Sequence, residues 1–255
     1  HVILVLKGVS LQVQEGKIAA ILGGNGAGKT TTLRAISNLL KAERGEVTKG
    51  SIELRGERIE NQTPADLVKK GVVQVMEGRH CFAHLTIEEN LLTGSYTRTD
   101  KGEIAANLDK VYKYFPRLKE RRKQLAGTLS GGERQRVGLA RALLSPAKIW
   151  LIDEPLSALD PTRARQAMDS LITHAKDHGI TLITSLHQVD VATSKFPRVI
   201  GLRDGKLVFD LPSSEVSKEL LADLYRQHEH ELYQNAPVLP DSAPEPAPVK
   251  IIHCR

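Results

Sequence analysis

The chain has 255 residues, 40% of them apolar and 26% charged, the balance of an ordinary globular protein long enough for one large α/β domain or two small ones. Its net charge of +6 suits an anionic surface, but at 4% aromatic content a stacking platform for single-stranded nucleic acid is not expected. No apolar run approaches ~18 residues, so no membrane-spanning helix is expected, and the widely separated Cys81 and Cys254 lack metal-ligand spacing and read as free thiols of a reducing cytoplasm.

Residues 1–8, HVILVLKG, lack the basic leader of a signal peptide. Residues 2–13 mix alternation with short apolar runs and predict one or two strands. The stretch 17–33, KIAAILGGNGAGKTTTL, is the most informative in the chain. Ile18 to Leu22 predicts a buried strand and Thr31 to Leu40 a helix. Between them Gly23, Gly24, Asn25, Gly26, Ala27, Gly28, Lys29 and Thr30 match G-x-x-x-x-G-K-[ST] in the strand-to-helix context that pattern requires. Glycines let the backbone curl so that successive N–H groups face an anion, and the helix N-terminus adds its positive dipole end. Lys29 is placed to reach β- and γ-phosphates and the Thr30 hydroxyl to bind Mg²⁺.

Residues 50–59 predict a half-exposed antiparallel hairpin turning at Gly56. Pro64 to Lys70 predicts a short helix capped by Thr63. Val72 to Val75 reads as a buried strand interrupted by Gln74, a polar residue that needs a partner or a site. Thr86-Ile-Glu-Glu is a capping box opening a helix. Residues 101–125 predict a strongly basic helical stretch, read first as a solvated face and second as a contact for an acidic partner or lipid headgroups. Ser130-Gly131-Gly132 then leads a helix from about Glu133 to Leu144, a second anion-ready N-terminus. Ile149 to Ile152 is a continuous apolar strand of parallel-sheet type ending in Asp153-Glu154. A helix over 162–178, a buried strand over 180–186 ending at His187, a hairpin over 198–209 and a helix over 214–234 follow. Five prolines between Pro237 and Pro248 predict a disordered or extended tail.

In parallel α/β sheets ligands bind beyond the C-terminal strand ends. Gly23, Gln74, Asp153 and His187 each fall at such an end. Asp153 suits Mg²⁺ coordination through water beside Thr30, and Glu154 suits activation of a water in line with the γ-phosphate. His187 suits a hydrogen bond to that phosphate, and Gln74 contact with the metal or the water.

Taken in order, these segments resemble the nucleotide-binding subunit of ATP-binding cassette (ABC) transporters as far as about residue 210. Gly23–Thr30 looks like its Walker A loop, Gln74 its Q-loop and Leu129–Gln135 (LSGGERQ) its signature. Ile149–Asp153 with Glu154 looks like Walker B with the catalytic glutamate, Ser157–Asp160 the D-loop and His187 the switch histidine. The resemblance implies a P-loop NTPase fold of ABC type: a mostly parallel central sheet, an antiparallel β subdomain and an inserted helical subdomain at about 76–145, all within residues 1–234, with the tail at 235–255. It implies Glu154 and His187 as catalytic residues and Thr30, Gln74 and Asp153 at the metal. ATP then lies between residues 23–31, Thr31 included, of one copy and Ser130, Gly131 and Gly132 of a head-to-tail partner, identical or not, with Asp160 of the D-loop among the nucleotide-binding residues. Transmembrane permease subunits are the further partners, the location is peripheral on the cytoplasmic face of the inner (plasma) membrane, and no nucleic acid is expected.

Two departures stand out. The family's adenine-stacking aromatic upstream of Walker A is not among these residues, only His1 lying near that position, so adenine stacking is missing or lies in residues outside this sequence. Residues 1–135 look like branched-chain amino-acid importer ATPases, through Gln62-Thr-Pro, Glu77-Gly-Arg and Leu85-Thr-Ile-Glu-Glu-Asn-Leu, whereas residues 136–210 look like phosphonate importer ATPases, the pattern of a mosaic. Two alternatives stay open: a non-transport ABC ATPase acting on nucleic acid or the ribosome, and a nucleotide-binding module with impaired turnover.

Overall fold

A computed structural model describes residues 4–78, 81–157 and 161–226. The expected tail, Asp160 and the far end of the helix expected over 214–234 lie outside the described residues. Strand β1, Ile18–Leu22, is wholly buried because it has a covered face on each side. Ile18, Ala20 and Leu22 enter one apolar cluster, while Ala19 and Ile21 enter another on the opposite face of the sheet. That two-sided burial is why its sequence is apolar throughout instead of alternating.

The remaining strands are β2 (Glu53–Leu54), β3 (Glu57–Arg58), β4 (Val72–Val75), β5 (Ile149–Ile152), β6 (Thr181–Leu186), β7 (Arg198–Arg203) and β8 (Lys206–Pro212). Six form one sheet in the order β4-β5-β6-β1-β7-β8. Neighbours are parallel except β7 and β8, which close the edge as an antiparallel hairpin. One row crosses four strands: Val75 stands level with Ile152, Ile152 with Thr184, and Thr184 with Ala20. Whatever lies two residues beyond this row sits together at the C-terminal mouth of the sheet.

Helix α1 (Lys29–Ile36) and α2 (Pro64–Lys69) cover one face, where Leu33 and Leu67 join the cluster of Ala19 and Ile21. Thr63 caps α2, as the sequence predicts, and the Asp66 carboxylate accepts the Thr63 N–H in return. The other face carries α3 (Ile87–Leu92), α4 (Lys101–Tyr114), α5 (Pro116–Glu120), α6 (Gly131–Leu144), α7 (Pro161–Asp177), α8 (Val189–Lys195) and α9 (Lys218–Leu224). Among these, α3 to α6 pack on one another. The basic stretch expected as one helix is two, because Pro116 lacks an N–H and starts a new helix after Phe115.

Residues 4–17 form no strand. Val9 and Val13 do pack on the sheet's α1 side, so their alternation reports real burial. No ladder partner runs beside them, however; Lys7 N–H reaches Gly205 O and Gln12 O accepts from Arg198. Among the described residues the separate antiparallel sheet is the two-residue pair β2–β3. Among the described residues no helix is long and apolar enough to cross a membrane.

Candidate functional site

β1 delivers the chain into Gly23, whose φ of 157° and crowded surroundings admit no side chain: a Cβ there would stand 2.2 Å from Leu202 O. Gly28, at φ 99°, is the N-cap of α1 and offers no side chain to its first turn. The N–H groups of Lys29, Thr30 and Thr31 therefore face the loop without an intrahelical acceptor or a capping oxygen, which is what an anion requires. Lys29 is buried and its Nζ donates to Gly23 O at 2.8 Å and Gly24 O at 3.2 Å. The ammonium is thereby held across the loop's concavity, 3.8 Å from Glu154 Oε1.

Asp153 leaves β5 fully buried. Its Oδ1 accepts from Thr30 Oγ1 at 3.1 Å and from Ser185 Oγ at 2.6 Å, and its Oδ2 has no partner. A buried orphan carboxylate oxygen beside the Thr30 hydroxyl is a fitting half-site for a hard cation. Among the described residues no group of three or more His, Cys, Asp or Glu could hold a metal by itself. That suits Mg²⁺, which keeps waters and takes phosphate oxygens for most of its ligands.

Glu154 turns back with φ 43°, a left-handed conformation that costs on the order of 1–3 kcal/mol in a non-glycine residue. Ser185 Oγ holds it there by accepting Glu154 N–H at 3.0 Å. The turn sends the Glu154 carboxylate away from Asp153 to His187, whose Nε2 lies 2.5 Å from Oε1. Burial pushes the Glu154 carboxyl up, but the hydrogen bond and charge of His187 and the charge of Lys29 outweigh it and hold the group below the ordinary range. Glu154 is thus kept as a carboxylate, the form a proton acceptor needs.

Glu77 is the site residue the sequence reading missed. It follows β4 by two positions, as Glu154 follows β5 by two, and the two carboxyls influence one another's protonation. Burial and then the charges of Glu154 and Asp153 raise its pKa. Gln74 lies three residues further back, roughly 10 Å down the strand. There it accepts from Ser37 Oγ at 2.5 Å, just past the C-terminal end of α1, away from Thr30 at that helix's start. The structure accordingly does not bring Gln74 to Asp153 and Glu154. Strand register carried the signal: β4 pairs with β5 so that Gln74 stands level with Leu151, two rows short of Asp153, while Glu77 and Glu154 each lie two residues past the last paired row. Ser185 was also missed, its signal being a polar residue inside the buried run of β6, two places before His187.

Ser130 caps α6 in a capping box, its Oγ and backbone N–H meeting the Glu133 carboxylate at 2.8 and 2.9 Å. It is exposed, and Gly131 and Gly132 are half-exposed. Their hydrogen bonds stay within α6 and its cap, so this start faces outward.

A family model described as ABC transporter matches residues 6–157. The chain belongs to the ABC transporter ATP-binding family. It is 41% identical to the phosphonates import ATP-binding protein PhnC of Polaromonas sp., over 98% of this chain and 92% of that protein. It is 35% identical to the high-affinity branched-chain amino acid transport ATP-binding protein BraG of Pseudomonas aeruginosa, over 86% of this chain and 92% of that one. Each similarity spans both stretches of the chain that had looked like separate sources. Among solved structures, the ATP-binding cassette MJ0796, in a dimeric post-hydrolysis state bound to ADP and Pi, superposes with a TM-score of 0.71 at 26% identity, covering 82% of this chain and 90% of that one. This ABC chain is accordingly an ATP-binding ATPase cassette with the expected mostly parallel sheet.

Proposed function

We propose that this ABC ATPase powers solute import, of phosphonate or branched-chain amino-acid type, through separate membrane permease subunits, and that it works as a head-to-tail pair. The observation that carries the chemistry is the convergence of Lys29, Thr30, Asp153, Glu154, Glu77 and His187 at one end of adjacent strands. Lys29 leaves its two carbonyls for the phosphates, exchanging neutral acceptors for charged ones. Thr30 and Asp153 would hold Mg²⁺, which would supply positive charge against the phosphates. Glu154 accepts the proton of the attacking water, and His187 orients Glu154 and hydrogen-bonds the γ-phosphate. Glu77 takes the place beside the water and metal for which Gln74 is too far down its strand.

The outward start of α6 supports pairing. Ser130, Gly131 and Gly132 form a helix N-terminus of the kind that binds phosphate, and none of their hydrogen bonds runs to the loop of their own chain. In the pair they cover the γ-phosphate of the partner's nucleotide. ATP is then the adhesive, and its hydrolysis loosens the pair.

Phosphate release by the wild type and Glu154→Gln tests this reading. The variant is expected to bind ATP, accumulate as a dimer by light scattering, and lose on the order of 10²- to 10⁴-fold in turnover. Equal turnover in both proteins would refute Glu154 as the base. Hydrolysis per protein that stays constant across the dimerisation range would refute the composite site.

A further inference from the structure

Charge in this chain is not evenly spread. Residues 101–123 hold eight basic and three acidic side chains, nearly the whole surplus of six that the 255 residues carry. They form α4, α5 and the turn after them, where Val111, Tyr112, Phe115 and Leu118 are buried against the core and the charged residues stand outside.

The division of labour between the two kinds of cation is informative. All three arginines are committed within the chain: Arg117 to Glu120, Arg121 to Glu133 and Arg122 to Glu88. The five lysines, Lys101, Lys110, Lys113, Lys119 and Lys123, are exposed and make no ion pair with a described residue. Arginine's planar fork suits a fixed carboxylate, and here those forks are already used. What remains is a field of flexible point charges. Exposed Tyr114 and Leu125, 38% and 49% accessible, lie within and just beyond the stretch. An amphipathic ring, an exposed leucine and unpaired lysines together suit a protein lying on an anionic lipid surface.

We infer that the α4–α5 face is a docking surface for anionic lipid headgroups, with Lys113, Lys119 and Lys123 as its principal contacts. The inference rests on reading the chain as the ATPase of a membrane transporter. A folded acidic protein partner would gain most from unengaged arginine forks, and each of the three here already meets a glutamate, although Arg117 and Arg122 stay exposed; a fluid layer of headgroups asks only for charge density. None of the five lysines takes part in the hydrogen-bond or ion-pair network around Asp153 and Glu154.

Co-sedimentation of the full chain, without nucleotide, with phosphatidylcholine vesicles containing or lacking 30% phosphatidylglycerol tests the inference. Wild type is expected on the anionic vesicles alone and is expected to be released by ~0.5 M salt. The triple variant Lys113→Glu, Lys119→Glu, Lys123→Glu is expected to lose about 100-fold in partitioning, some fivefold per lysine. The control Lys69→Glu, on α2, is expected to partition as wild type does. Equal binding of wild type and triple variant would overturn the inference. So would release by inorganic phosphate at constant ionic strength, which would mark a site for the free anion. Binding to polyglutamate but not to vesicles would overturn it in favour of an acidic protein segment. Phosphate release, measured separately, is expected to be unchanged in the triple variant; its loss in wild type would refute the ATPase reading and leave the vesicle result standing.

Discussion

Ser185→Ala is a demanding perturbation of the site because it removes no group that touches nucleotide. Ser185 is fully buried, donates to Asp153 Oδ1 at 2.6 Å and accepts Glu154 N–H at 3.0 Å. The first bond goes to a carboxylate, a class that contributes about 1.5–3 kcal/mol. Losing the second leaves a partly buried N–H unsatisfied, at about 1–3 kcal/mol. The Ala side chain restores neither, so a loss of roughly 3 kcal/mol is expected, allowing for water reaching the mouth of the site. In a domain of this size that corresponds to roughly 6–12 °C in Tm. Catalysis is expected to suffer as well. Glu154 sits at φ 43° while its N–H is tied to Ser185, and an untied Glu154 relaxes toward ordinary backbone and away from His187. Urea unfolding and steady-state phosphate release on the same preparation read both effects, with a fall in kcat of about tenfold expected. A variant within about 0.5 kcal/mol of wild type and equal in kcat would refute the argument that Ser185 ties the two carboxylates in place.

Three other outcomes follow from the geometry. Gly23→Ala is expected to cost more than about 3 kcal/mol, because its Cβ would meet Leu202 O at 2.2 Å and Ala27 Cβ at 2.8 Å, whereas Gly26→Ala, with open space around it and φ 75°, is expected to cost about 1–2 kcal/mol by urea unfolding. Glu77→Gln is expected to lower kcat about tenfold and Gln74→Ala less than twofold; the reverse order in phosphate release would restore Gln74 to the site. His174, stacked between Trp150 and His178, has its pKa pushed down to about 4 by burial and then by the charge of His178. The folded state holds this ring neutral while the unfolded chain protonates it near 6.5, so the unfolded state binds more protons between these values. Stability is therefore expected to fall as pH drops from 6.5 towards 4, by on the order of 3 kcal/mol from this group, and His174→Phe is expected to flatten that part of the urea-midpoint profile.

Local chemistry settled much of this protein in advance. Gly23 to Thr30 could be placed between strand and helix because glycines, a buried strand and a helix start leave signatures within a few residues. The capping box at Thr86 and the cap at Thr63 were legible for the same reason: each closes within three residues, whereas the box that Ser130 forms with Glu133 was not read from the sequence. Asp153, Glu154 and His187 could be grouped because each follows an apolar strand, and parallel sheets gather such ends on one side. Pairing was beyond local reach. Whether residues 4–17 become a strand depends on a neighbour to bond with, and their own alternation shows only that one side is covered. The partner of Glu154 depended on register, since sliding β4 along β5 decides which side chain reaches the mouth. Gln74 looked suited to the site because a polar residue in a buried strand needs a partner; tertiary structure supplied that partner in Ser37. Likewise Ser185, an unremarkable hydroxyl in sequence, binds both carboxylate positions because β5 and β6 run side by side, Ile152 level with Thr184. Residue types and their short spacings announced the phosphate chemistry. Which carboxylates face one another was decided by hydrogen-bonded rows between strands more than seventy residues apart for β4 and β5, a distance over which sequence carries no register.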